Sequence, residues 1–139
     1  MNVVIDASAI ITVALQESEP ALIAATRLAL SDSRLLAPGI MPVEVAGALA
    51  MAEWIGRRSS VDTDAAWVLA GDIIRATELH ATDDTNGLFA VCRRYRLRGA
   101  DACYLKLSIE RSAALLTGDK ALASAALAAD VPLVYDPNA

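Results

Sequence analysis

The sequence has few of the residues from which covalent scaffolds and most metal clusters are made. It holds two cysteines, Cys92 and Cys103, outside any C-x-x-C spacing, and one histidine, His80. That excludes a disulfide framework and the Cys/His cages of structural zinc. A Ser/His/Asp triad would have to recruit His80, and nothing around Ser8 resembles a nucleophile elbow. Positive charge is scarce too. Twelve Lys and Arg against 17 Asp and Glu give a net charge of -5, so the surface as a whole does not seek phosphate and any nucleic acid is bound locally. The longest apolar stretch, Ile40 to Ala52, is broken by Pro42 and Glu44 and falls short of the roughly 20 residues of a membrane span. At the N-terminus Val3, Val4 and Ile5 run straight into Asp6, without the basic and apolar regions of a secretory signal. The expectation is a cytoplasmic chain with no membrane segment, its cysteines reduced and serving as small apolar side chains.

What is there is a strongly apolar chain of 139 residues, 55% hydrophobic and 21% charged, with mean hydropathy +0.42. That is enough to bury one core, and residues 1–139 read as a single domain. Asn2 to Asp6 has the β-branched run of a buried strand, and Ser8 stands at a capping position before Ile10, Ile11 and Leu15. Pro20 opens a second helix to about Leu30; Leu35 to Ala37 is a strand closed by Pro38 and Gly39. Pro42 starts a helix through Val45 and Leu49 that ends near Gly56, and Asp62 or Thr63 caps another through Trp67 and Ile73. A short segment around Leu79 reads as a weak edge strand. Thr82 or Asp83 caps a helix to about Leu97, Gly99 breaks it, and Asp101 begins the next through Tyr104 and Ile109. Ala113 to Thr117 is strand-like, Asp119 caps an alanine-rich helix to Ala129, and Val131 to Tyr135 reads as a last strand. The alternation predicts an α/β fold: a mostly parallel sheet flanked by helices, with right-handed crossovers.

In such a sheet ligands gather beyond the carboxyl ends of the strands, where the following helices begin. Asp6 ends the first strand, Glu44 lies in the first turn after the second, and Asp119 follows the strand ending at Thr117. Asp101 opens the helix that leads down into that strand. Taken singly, Asp6, Asp101 and Asp119 are well explained as helix caps. Glu44 instead interrupts an apolar helix start, where an unpaired carboxylate is costly to bury. Four acids at one edge repel one another unless protonated or neutralised by a cation. An all-oxygen donor set suits Mg2+ or Mn2+ better than zinc, and one or two such ions suit phosphodiester hydrolysis.

Four segments, Val4-Ile5-Asp6-Ala7-Ser8, Pro42-Val43-Glu44-Val45, Ala100-Asp101-Ala102-Cys103-Tyr104-Leu105 and Leu116-Thr117-Gly118-Asp119, follow in this order over the whole length. With them the chain resembles the PIN domains, and among those the VapC-type toxins of bacterial toxin-antitoxin systems. The resemblance implies a three-layer PIN-like fold and a metal-dependent endoribonuclease, inhibited by a small cognate antitoxin protein and acting as a homodimer. Carried over by position, Asp6, Asp101 and Asp119 would bind Mg2+ or Mn2+ directly or through water. Glu44 would bind through water or orient the attacking water. Ser8 and Thr117 match the accompanying hydroxyls. Lys120 stands where some relatives carry a further acid, a departure that bears on a second metal site.

Arg93, Arg94, Arg96 and Arg98 form the one basic cluster, just before Asp101, and Arg57 with Arg58 a smaller pair. They can meet RNA phosphates or an acidic antitoxin tail, although complementing a helix C-terminus is the plainer reading. Trp54, Trp67 and Tyr104 fall among apolar helical positions and are expected in the core rather than on an antitoxin groove or dimer face. His80 is expected at a surface or strand end. Two rival readings stay open. One is a phosphatase with Asp6 as aspartyl nucleophile, where Ser8 replaces the second Asp that chemistry expects. The other is a non-catalytic PIN-like module that only binds a partner.

Overall fold

Val3, Val4 and Ile5 are fully buried, so the strand that carries them, β1 (Asn2–Ile5), needs helices on both faces. The computed structural model describes residues 1–139 and supplies them. In chain order follow α1 (Ala7–Ala14), α2 (Pro20–Asp32), β2 (Arg34–Pro38), α3 (Met41–Trp54), α4 (Ser60–Arg75) and β3 (Thr77–His80). Then come α5 (Thr85–Tyr95), α6 (Gly99–Arg111), β4 (Ala114–Leu116) and α7 (Lys120–Ala128). The four strands are all parallel, in the order β3-β2-β1-β4.

That order fixes the layers. From β1 to β2 to β3 the chain steps one way across the sheet, and right-handed crossovers put α1 to α4 on one face. From β3 it returns past β1 to β4, so α5 and α6 cover the other, giving the expected three-layer α/β/α architecture. The winding direction reverses between β1 and β4, the place where sheets of this kind put their ligand crevice, beyond the carboxyl ends of the strands. A core of 31 buried residues runs through both layers, with Ile10, Leu36, Met41, Leu105 and Leu115 among its largest members. No helix is long and apolar enough to cross a membrane.

Several local expectations are corrected. Val131 to Tyr135 is not a strand: only Leu133 forms a bridge, to Leu115, because Pro132 has no N–H to donate and the chain turns away at Asp136. The cap of α4 is Ser59, whose oxygen accepts from Asp62 N–H; Thr63 turns its hydroxyl to Glu53 and to the Ser59 and Ser60 carbonyls. Asp84 caps α5, one or two residues later than expected. The break before α6 is made by Arg96 in the left-handed conformation (φ 55°), and Gly99 is already the first residue of α6. Ser8 lies inside α1 rather than capping it. Trp54 and Trp67 are 75% and 46% exposed, not core; Tyr104 is fully buried.

Candidate active site at the carboxyl edge of the sheet

Asp6 leaves β1 at the crevice and is only 5% exposed. It occupies the N-cap position of α1, yet its side chain makes no capping bond. Both hydroxyls near it are turned inward instead: Ser8 Oγ donates to Asp6 Oδ2 at 2.6 Å and Thr117 Oγ1 donates to the same oxygen at 2.7 Å. With both protons so committed, the 3.3 Å approach of Ser8 Oγ to Thr117 Oγ1 is a contact without a proton of its own. Burial pushes the Asp6 pKa up, the two hydroxyl bonds oppose it, and the charge of Asp119 adds to it.

Beyond β4 the chain passes Thr117, Gly118 and Asp119 in a turn locked to the start of the fold. Thr117 is fully buried, and its oxygen accepts the Asp119 N–H at 2.9 Å. Gly118 N–H donates to Ser8 Oγ at 3.0 Å. A Cβ at Gly118 would stand 2.7 Å from Leu22 Cδ2, so this position needs glycine for close approach to α2. Asp119 caps α7 as expected, Oδ1 accepting from Leu122 N–H at 2.8 Å.

The other two acids arrive from opposite faces. Asp101 sits in the first turn of α6. Its pKa is pushed up to about 6, first by burial and then by the charges of Asp119, Asp6 and Glu44, with Arg98 opposing. Glu44, in the first turn of α3, accepts from the buried Tyr104 hydroxyl at 2.6 Å. Its pKa is raised by burial, lowered by that bond, and raised again by Asp6. The Tyr104 hydroxyl is pushed up in turn by burial and by Glu44, and stays a donor.

Asp101 thus feels the charges of Asp119, Asp6 and Glu44, Asp6 feels that of Asp119, and Glu44 feels that of Asp6, which places the four at a common rim with Asp101 and Asp6 between the other two. None takes part in an ion pair: Arg34, Arg57, Arg75, Lys106 and His80 are engaged with other carboxylates. No three His, Cys, Asp or Glu side chains stand close enough together to hold a metal ion as they are placed, so an ion at this rim would rest on fewer carboxylates and its own waters. Of the arginines, only Arg98 is near enough for its charge to reach a site acid, while Arg93, Arg94 and Arg96 lie exposed at the junction of α5 and α6. Two functional positions went unseen in the sequence. Tyr104 holds Glu44, and its signal was the i, i+3 spacing from Asp101 that puts both on one face of α6. Gly118 gave no signal, because what it avoids is on α2.

No family model matches the chain, and no curated protein does. Its structure is similar to the crystal structure of PAE2754 from Pyrobaculum aerophilum, at a TM-score of 0.70 and 20% sequence identity over 90% of this chain and 84% of that one. The likeness is one of fold. It extends the three-layer architecture to a solved protein and leaves the chemistry to be argued from the rim itself.

The donor set fits a hydrated hard cation. Mg2+ and Mn2+ favour oxygen ligands, and Mg2+ keeps several waters while binding through one or two carboxylates, so an open acidic rim suits it better than a closed cage would. Asp6 Oδ2 is committed to Ser8 and Thr117, Asp119 Oδ1 to its cap and Glu44 Oε1 to Tyr104. That leaves Glu44 Oε2 and Asp119 Oδ2 without a protein donor, while the buried Asp6 carboxylate is also met by the Ala7 N–H.

Proposed function

We propose that this chain is an Mg2+- or Mn2+-dependent endoribonuclease that hydrolyses RNA phosphodiester bonds, and that it serves in the cytoplasm as the toxin of a VapBC-type pair. One observation carries the catalytic part: four carboxylates without a cationic partner gathered at the topological switch point, with Asp101 raised to about 6 by the other three acids and burial. A side-chain cap accounts for Asp119 alone; the helix dipole favours Asp101 and Glu44 in their first turns, and neither explanation accounts for the buried Asp6 or for the four coming to one edge. In this reading Asp6, Asp101 and Asp119 hold the cation, which when bound neutralises the rim and supplies Lewis-acid assistance at phosphorus. Ser8 and Thr117 fix the Asp6 carboxylate in one orientation. Tyr104 does the same for Glu44, which orients the attacking water.

The toxin part rests on the resemblance and on large apolar side chains left exposed at the end of α3 and along α4, where Trp54, Ile55, Val61 and Val68 are 75%, 62%, 75% and 67% exposed. A surface of that kind suits a protein partner, the cognate antitoxin or a second copy in a homodimer.

The test is cleavage of single-stranded and structured RNA by protein freed of bound partners and stripped with chelator. Cutting is expected only when Mn2+ or Mg2+ is returned. Asp119→Asn is expected to abolish it with the fold intact, because asparagine keeps the oxygen that caps α7 and loses only the charge. Undiminished cleavage in excess chelator overturns the assignment.

A further inference from the structure

Four arginines between residues 93 and 98 stand at the junction of α5 and α6, all exposed and none paired with a carboxylate. In a chain where acids outnumber bases 17 to 12, cations without partners are not a matter of charge balance. Complementing a helix dipole explains Arg93 and Arg94, in the last turn of α5. It also favours a cation at Arg96, the C-cap of α5, but not at Arg98. Arg98 is the N-cap of α6, where the dipole disfavours a cation, and Arg96 sits at φ 55°, where a side chain other than glycine or asparagine is penalised. One turn before Arg93 on α5 stands Phe89, the only phenylalanine of the chain, 62% exposed with the Arg93 guanidinium 5.4 Å from its ring centre. Arg94 lies similarly against Tyr95, at 5.6 Å.

An exposed aromatic face among unpaired arginines is the combination that binds single-stranded nucleic acid: bases stack on the ring and phosphates meet the cations. An acidic peptide would need the charges but not the ring. The patch also adjoins the acidic rim, since the Arg98 charge reaches Asp101. We propose that Phe89, Arg93, Arg94, Arg96 and Arg98 form a docking track for single-stranded RNA, which holds the strand beside the carboxylates of the active site. The track rests on the ribonuclease reading for its substrate and is measured independently of it, by binding.

A labelled oligouridine is titrated by anisotropy in chelator, where no cleavage interferes, across a range of salt. Each Arg→Gln change is expected to lower the slope of log affinity on log salt by about 0.7, the single-strand value per phosphate contact. Phe89→Leu is expected to weaken binding roughly five- to hundredfold with the slope unchanged, since it removes stacking and no charge. Arg96→Gly relieves the left-handed backbone, so its thermal midpoint should stay level or rise while RNA affinity falls; a purely structural arginine would move both the same way. Slopes that stay unchanged when all four arginines are replaced overturn the track. So does polyglutamate that competes equally well while Phe89→Leu has no effect, which would assign the patch to a protein ligand. Tight, slope-sensitive binding by a protein that fails to cleave with Mn2+ upholds the track and refutes only the ribonuclease reading.

Discussion

Tyr104 and Glu44 are 60 residues apart in sequence and meet at 2.6 Å across the sheet edge. Removing the hydroxyl leaves Glu44 without the bond that fixes it. Tyr104→Phe is expected to cost about 1 kcal/mol of stability and to lower the cleavage rate with little change in KM, which steady-state kinetics and a denaturant melt together would read. Asp101 gives a pH dependence with a definite sign. Its folded-state pKa of about 6 lies above the ordinary 3.8, so the folded protein holds this proton more tightly than the unfolded chain does. In metal-free buffer its contribution to stability is therefore greatest below about pH 4 and is lost as pH rises through 6. Asp101→Asn has no such proton. Its advantage over the parent protein should grow from pH 4 to pH 7, reaching about 1 kcal/mol, or about 4 °C in melting temperature, once solvent screening of this half-exposed group is allowed for. At this scale only Glu44 stands out in the sequence, as a carboxylate inside an apolar run; Asp6, Asp101 and Asp119 each read singly as helix caps, and only their common sheet edge sets them apart. Local pattern alone gives Ser8 a capping role; the resemblance names Ser8 and Thr117 as the accompanying hydroxyls, and the fold turns both onto Asp6.

The element that carries most of the site is the turn from β4 into α7. Thr117 is fully buried and serves two partners, donating to Asp6 and accepting from the Asp119 N–H. Thr117→Val keeps the shape, leaves the Asp119 N–H without its acceptor and Asp6 Oδ2 with Ser8 alone, with an expected loss of roughly 1–3 kcal/mol in a thermal or urea melt. Gly118→Ala should be costly for a different reason, since the added Cβ meets Leu22 Cδ2 and that fully buried side chain must move within a packed core. Roughly 1–3 kcal/mol is expected there as well. Strands built from β-branched or leucine runs between turn residues were readable, β1 and β2 above all. Boundaries set by partners elsewhere were not. The Val131–Tyr135 segment has strand composition but forms a single bridge, to Leu115 on β4. Arg96 ends α5 with a backbone conformation that composition gives no reason to expect of arginine. Trp54 and Trp67 follow helical spacing yet face outward, because α3 and α4 pack on α1 and on each other with smaller residues such as Val45, Leu49, Ala52, Ala66 and Ala70.

For the whole molecule the decisive fact is the strand order, which reverses winding between β1 and β4 and so brings Asp6 and the Thr117–Asp119 turn to one crevice. Parallel α/β architecture could be read from the alternation of elements; the reversal, and with it the meeting of the acids, is a tertiary property. The central claim is that this meeting forms a site for a hard divalent cation. Calorimetric titration of Mn2+ into chelator-stripped protein, repeated with Asp101→Asn, tests it most directly. The account predicts saturable, stoichiometric binding by the parent protein that is lost or greatly weakened in the variant, while the variant remains folded. Heats of dilution alone from the parent protein, or binding that Asp101→Asn leaves unchanged, would contradict it.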